Sequence, residues 1–130
     1  MGYTHYWRNV NTITEEHVDT INSIINRYEK ETGKKIVNDL EEAGTQPLIT
    51  TDLVALNGEE DESCETLYLK PHQKGFQFCK TNRRSYDEVV CAVLAYLDDQ
   101  GVIEGLDSDG DMERGEEWVT AKNLLHRALA

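Results

Sequence analysis

Cations are scarce in this chain: 13 Lys and Arg stand against 25 Asp and Glu, a formal charge of -12 over 130 residues. So acidic a surface repels a phosphate backbone, which excludes general nucleic-acid binding. It leaves two kinds of partner, a small anionic ligand in a local positive pocket or a basic protein met by the acidic face. Long apolar runs are also missing. No stretch approaches the ~18 residues of a membrane span, so no membrane partner is expected. Residues 1–10 hold His5, Arg8 and Asn9 where a secretory leader would have its apolar segment. There are three cysteines and no CxxC pair; an odd set argues against a disulfide framework and predicts reduced thiols in a cytoplasm. With two prolines and no low-complexity run, the composition fits one folded domain over residues 1–130.

The motifs of common chemistries are missing as well. No GxSxG or Walker loop occurs, and His5, His17, His72 and His126 form no HxH or HxxxH pair for zinc. Asp107, Asp109 and Asp111 have the spacing that opens a calcium loop, but Met112 and Trp118 stand where that loop needs Gly and Glu. They read as a turn into the last helix, with Ser108 or Asp109 available to orient a ligand. The acids of 59–62 read as a solvated loop. Cys79 beside Lys80 has no base to activate it. No catalytic residue, metal or cofactor is assigned, and the balance leans away from an enzyme.

What is present is an α+β pattern. Residues 3–8 alternate as a strand with Tyr3, His5 and Trp7 on one face and Thr4, Tyr6 and Arg8 on the other; aromatics on both faces predict cover on both sides, or one wall of a pocket. A capping box at Thr12–Glu15 opens a helix carrying Val18, Ile21, Ile24, Ile25 and Tyr28, with Gly33 as its stop. Residues 34–43 read as a short helix. Leu48–Leu56 reads as extended, ending at an Asn57-Gly58 turn, and Thr66–Leu69 and Phe76–Phe78 as further strands. Ser85-x-x-Glu88 opens a second helix ending at Gly101, Val102-Ile103 a short strand, and Gly115–Leu129 an amphipathic terminal helix. The sum is a small single domain with a mostly antiparallel sheet of four to five strands and about three helices packed on one face.

The basic stretch 70–84 holds five of the thirteen cations and no acid. Lys70 and Lys74 read as surface charge. Lys80, Thr81, Arg83 and Arg84 run into Ser85, Tyr86 and Asp87, beside the free backbone N–H groups of a helix start, which is how anions are held. The bland alternative is that Asp87 and Glu88 satisfy that terminus while the arginines pair with surface acids. Tyr3, His5 and Trp7 would stack a base or sugar beside the anion, or else His5 is a core histidine.

GYTHYW at 2–7, Asn57-Gly58 followed by Glu65-Thr66, FCKTNRRSYD at 78–87 and SDGD at 108–111 together resemble a group of small proteins of tailed bacteriophages and prophages. The resemblance covers most of the chain; Tyr3, His5 and Trp7 match its first segment and Lys80, Thr81, Arg84, Tyr86 and Asp87 its central one. It implies a phage origin, a bacterial host cytoplasm and no particular activity. The expectation is a binding protein for a phosphorylated or nucleotide-like molecule, in a counter-defence role. The alternatives are an acidic inhibitor of a host protein, through acids at 59–65 and 104–117, or a small nucleotide-acting hydrolase or transferase using His5, Tyr86 and Asp87.

Overall fold

A computed structural model describes residues 2–38 and 45–130. The chain is α+β, with antiparallel strands and three α-helices among the described residues. The strands divide between two sheets instead of lying in one.

The first sheet is built around the aromatic strand β1 (Thr4–Val10), which pairs antiparallel with β6 (Gln73–Lys80) on one side and β7 (Ile103–Ser108) on the other. Tyr3, His5, Trp7 and Val10 are buried. Their face packs beneath α1 (Glu15–Thr32), α2 (Asp87–Asp99) and α3 (Glu116–Leu129), and Trp7, Val10 and Ile103 share one core with the helices. The opposite face, with Tyr6 and Arg8, is uncovered. The two-sided cover expected for this strand is therefore corrected: its outer aromatics face solvent.

The second sheet centres on β4 (Val54–Gly58), paired with β2 (Ile36–Val37), β3 (Leu48–Ile49) and β5 (Leu67–Leu69). Ile36 and Val37 thus extend a sheet where a helix was expected, because both β-branched side chains are buried there; residues 39–43 of that expected helix lie outside the described residues. The extended run 48–56 is broken by a turn at 50–53, where Thr50 Oγ1 accepts from the amides of Asp52 and Leu53. Asn57-Gly58 is no turn but the buried end of β4.

Helix α1 buries Val18, Ile21, Ile24, Ile25 and Tyr28, as its spacing predicts. Its cap is Thr14 and not Thr12: Thr14 Oγ1 accepts from the His17 amide, and His17 Nδ1 accepts from the Thr14 amide in the place of the usual Glu. Gly33, at φ 73°, closes the helix in the left-handed region.

Glu31 ties α1 to α3. Its carboxylate accepts from Arg127 Nε at 2.9 Å and Nη2 at 2.7 Å, and from Arg27 Nε at 2.8 Å. The two guanidinium groups hold its pKa down to about 2 from the ordinary 4.5. A carboxyl depressed by folding stabilises above its unfolded pKa, and that contribution disappears as pH falls from about 4.5 to about 2. Glu31→Gln is expected to flatten the acid limb of stability over that window, measured by urea denaturation across a pH series. An unchanged limb would show that the pair is screened by solvent.

Candidate functional site

The turn Thr81–Ser85 joins β6 to α2 and is clamped onto the start of β1. The amides of Thr81 and Asn82 both donate to the Tyr3 carbonyl, at 3.0 and 3.2 Å, and the Tyr3 amide donates to Asn82 Oδ1 at 3.3 Å. Asn82 and Arg83 both lie in the left-handed region, at φ 52° and 57°. Asn tolerates that region, whereas for Arg it costs about 1 kcal/mol; the clamp holds the strain. The guanidinium is thereby aimed at two things. It lies 4.0 Å over the Tyr3 ring, a cation–π contact, and Nε donates to Glu117 Oε1 at 2.5 Å.

Arg83, Arg84 and Ser85 form one wall of an open cleft of roughly 360 Å³, faced by Asp87, Glu88 and the first turn of α3, with Glu116, Glu117 and Thr120. Arg83 also borders a second opening with Gly2, Tyr3 and Asp109. The charge in the cleft is mixed. Burial pushes the Glu88 carboxyl up, while Arg83 pulls Glu117 down. The expected Ser85 cap of α2 is not made: Ser85 Oγ donates to Glu62, and the helix begins at Asp87 with no side-chain cap at Tyr86. The amides of Asp87, Glu88 and Val89 donate instead to the carbonyls of Arg84, Ser85 and Tyr86. Those three amides of the expected anion site are thus occupied within the turn, which leaves the arginine side chains as its main donors.

Behind this wall lies a closed polar network. His5 is fully buried. The Trp118 Nε1–H and Gly110 amide both donate to Ser108 Oγ, at 3.1 and 3.0 Å. With both lone pairs used, the Ser108 hydroxyl donates to His5 Nδ1 at 2.8 Å, so His5 carries its proton on Nε2 and donates it to Asp87 Oδ1 at 2.6 Å. Thr81 Oγ1 donates to the same carboxylate oxygen at 2.6 Å, and Cys91 Sγ lies 3.5 Å from Oδ2. Burial and the Asp87 carboxylate push the Cys91 thiol up. His5, Asp87 and Cys91 are close enough to be considered as metal ligands, but His5 and Asp87 are in direct hydrogen bond. Tetrahedral ligands at ~2.0–2.3 Å from zinc would stand further apart.

Compared with known protein families, curated proteins and solved structures, the chain matches none.

Tyr3, Arg83, Arg84, Ser85 and Asp87 border the two openings, so the start of the aromatic strand and the basic turn do meet. His5, Trp7, Thr81 and Tyr86 border neither. His5 and Thr81 belong to the closed network and Trp7 to the core, while Tyr86 donates to the Glu65 carbonyl at 2.5 Å with its hydroxyl pushed up by burial. Stacking of a base by His5 or Trp7 and acid–base work by His5 and Tyr86 are corrected on that ground, since no substrate reaches them. Lys80 stands opposite Thr4 on the outer sheet face. Cys79 is buried, and desolvation raises its thiol, so Lys80 does not activate it. Sequence reasoning missed Glu88, Glu116, Glu117 and Thr120. Helix spacing puts Glu116, Glu117 and Thr120 near one another, but only the packing of α3 on α2 brings them opposite Arg83.

Proposed function

We propose that this is a non-enzymatic binding protein for a small phosphorylated molecule of the nucleotide type, seated in the cleft between the Arg83–Arg84 turn and the first turn of α3. The observation that carries the reading is the strained, clamped presentation of Arg83 at the cleft wall; strain of this kind is characteristic of sites held for function. The arginine pair would take the phosphate through charge-assisted hydrogen bonds. The carboxylates of Glu88 and Glu116 would accept from the hydroxyl or amino donors at the other end of the same ligand. In the empty protein Glu117 occupies Arg83. Its side chain is 30% exposed and that of Arg83 59%; so exposed a pair is screened by solvent and yields to a phosphate. Resemblance to tailed-phage proteins supports, as the biological use, sequestration of a host nucleotide signal in the bacterial cytoplasm.

Calorimetry against a panel of mono-, di- and cyclic nucleotides tests this. Arg83→Ala and Arg84→Ala are each expected to weaken binding by about tenfold or more, the value of a charged hydrogen bond. Glu117→Gln should tighten it by removing the internal competitor. Wild-type protein that binds no member of the panel, or arginine variants that bind as well as wild type, would sink the reading.

A further inference from the structure

The chain has two phenylalanines, and neither is in the core. Phe76 and Phe78 stand on β6 with 63% and 56% of their surface exposed. Each leaves more than half of its surface in water, a loss of hydrophobic stabilisation, although the molecule has a large core in which to place them. Nor is β6 a frayed segment. The Gly75 amide donates to Asn9 Oδ1 at 2.7 Å, where β1 bulges at Asn9, and Gly75 itself sits at φ 101°. The register of Tyr6 with Phe78 and Arg8 with Phe76 is therefore pinned. Tyr6 stacks on Phe76 at 5.9 Å and 25°, and Phe76 lies 6.2 Å from Phe78 at 35°. The three rings form one contiguous aromatic patch on the helix-free side of the first sheet.

From this surface we infer a second binding site, a stacking platform for a short single strand of nucleic acid. Two further observations select that occupant. The first is charge. Arg8 stands opposite Phe76, and Lys74 and Lys80 lie on β6 two residues before Phe76 and two after Phe78; the ion pairs among the described residues involve none of the three. Acids of this face lie along β7, with Glu104 opposite Arg8, Asp107 opposite Tyr6, and Asp109 accepting from the Tyr6 hydroxyl at 3.0 Å. A bound strand therefore runs along β6, bases on the rings and phosphates toward the lysines. The second observation is order: Lys74-Gly75-Phe76-Gln77-Phe78 follows the basic–Gly–aromatic–x–aromatic opening of sheet strands that stack unpaired bases, with Gln77 where Gly or Ala is usual and with Cys79 and Thr81 in place of the Val and aromatic that follow. The acidic balance that excludes duplex does not exclude this mode, because stacking on aromatic rings supplies the affinity and few phosphates need be met. The site is independent of the cleft at Arg83.

Fluorescence anisotropy with labelled oligouridine and oligothymidine of about eight nucleotides, at low salt, reads the platform directly. Wild-type protein should bind a single strand and ignore the matching duplex. Phe76→Ala and Phe78→Ala should each weaken binding about tenfold, and the double variant about a hundredfold. Because both side chains are exposed, the circular dichroism spectrum and unfolding midpoint should stay as in wild type, and nucleotide binding in the cleft should be unaffected. Lys74→Gln should lower the slope of log affinity against log salt by about 0.7. Absence of single-strand binding, binding indifferent to both phenylalanines, or equal affinity for duplex would overturn the inference. So would a wild-type dimer that Phe76→Ala/Phe78→Ala converts to monomer, which would assign the rings to self-association.

Discussion

Asp87→Ala is expected to destabilise the fold by about 2–5 kcal/mol, because it strips the acceptor from two buried donors, each costing about 1–3 kcal/mol when left unpaired. The size follows from what the carboxylate holds. His5 Nε2–H and the Thr81 hydroxyl both donate to Oδ1, and the Cys91 thiol approaches Oδ2. All three partners are buried, so none recovers a bond from water. Position adds to it, because Asp87 lies in the first turn of α2, where the helix dipole favours an anion. Asp87→Asn keeps an acceptor for both donors and should cost about 1–2 kcal/mol. His5→Ala should cost nearly as much as Asp87→Ala, and the double variant little more than either, since the two act as one unit. Urea denaturation supplies all four values; an Asp87→Ala midpoint close to wild type would mean that the network does not support the fold.

The second large effect is expected at Asn57, where Asn57→Ala should cost about 2–4 kcal/mol. This fully buried side chain closes the acidic loop onto β4. Its Nδ2 donates to the Cys64 carbonyl at 2.9 Å and to Thr66 Oγ1 at 3.2 Å, while Oδ1 accepts from the Gly58 and Cys64 amides at 2.8 and 3.2 Å. Each buried group left without a partner costs about 1–3 kcal/mol, partly relieved where the loop opens to water. Hydrogen exchange should show faster amides at 58 and 64 and unchanged protection in α1. Retained protection at Cys64 would refute this role. The neighbouring Gly58 is fixed by the same closure: a Cβ there would run into the Glu62 carbonyl and come within 3.2 Å of the Tyr86 ring.

Asn57 also marks where local reading fails. Asn-Gly is a turn signal because both residues tolerate positive φ, yet here Gly supplies close approach and Asn supplies bonds to residues seven and nine positions on. Where the signal was periodicity, it served: β1 alternates as read, α1 and α3 bury the expected faces, and Phe76-Gln77-Phe78 is a strand. Ile36-Val37 was misread because two buried residues fit either period, and the choice was made by pairing with β4. In the site, the meeting of Tyr3 with the basic turn was legible in outline. The His5–Asp87 bond was not, since it joins residues 82 apart. One signal was at hand: a histidine between buried aromatics needs two polar partners, and Asp87, in a helix's first turn, was already in view.

The arrangement of the first sheet has a consequence for how the chain is made. Of the three strands in that sheet, β1 is made before its two neighbours, β6 and β7, and lies between them. Until Ser108 has emerged from the ribosome, β1 lacks an edge partner and His5 lacks its hydroxyl. Contacts of such long sequence separation also slow folding. Between the emergence of β1 and that of β7 the nascent chain therefore carries an aromatic strand with unpaired backbone, a period when chaperone binding or aggregation competes with folding.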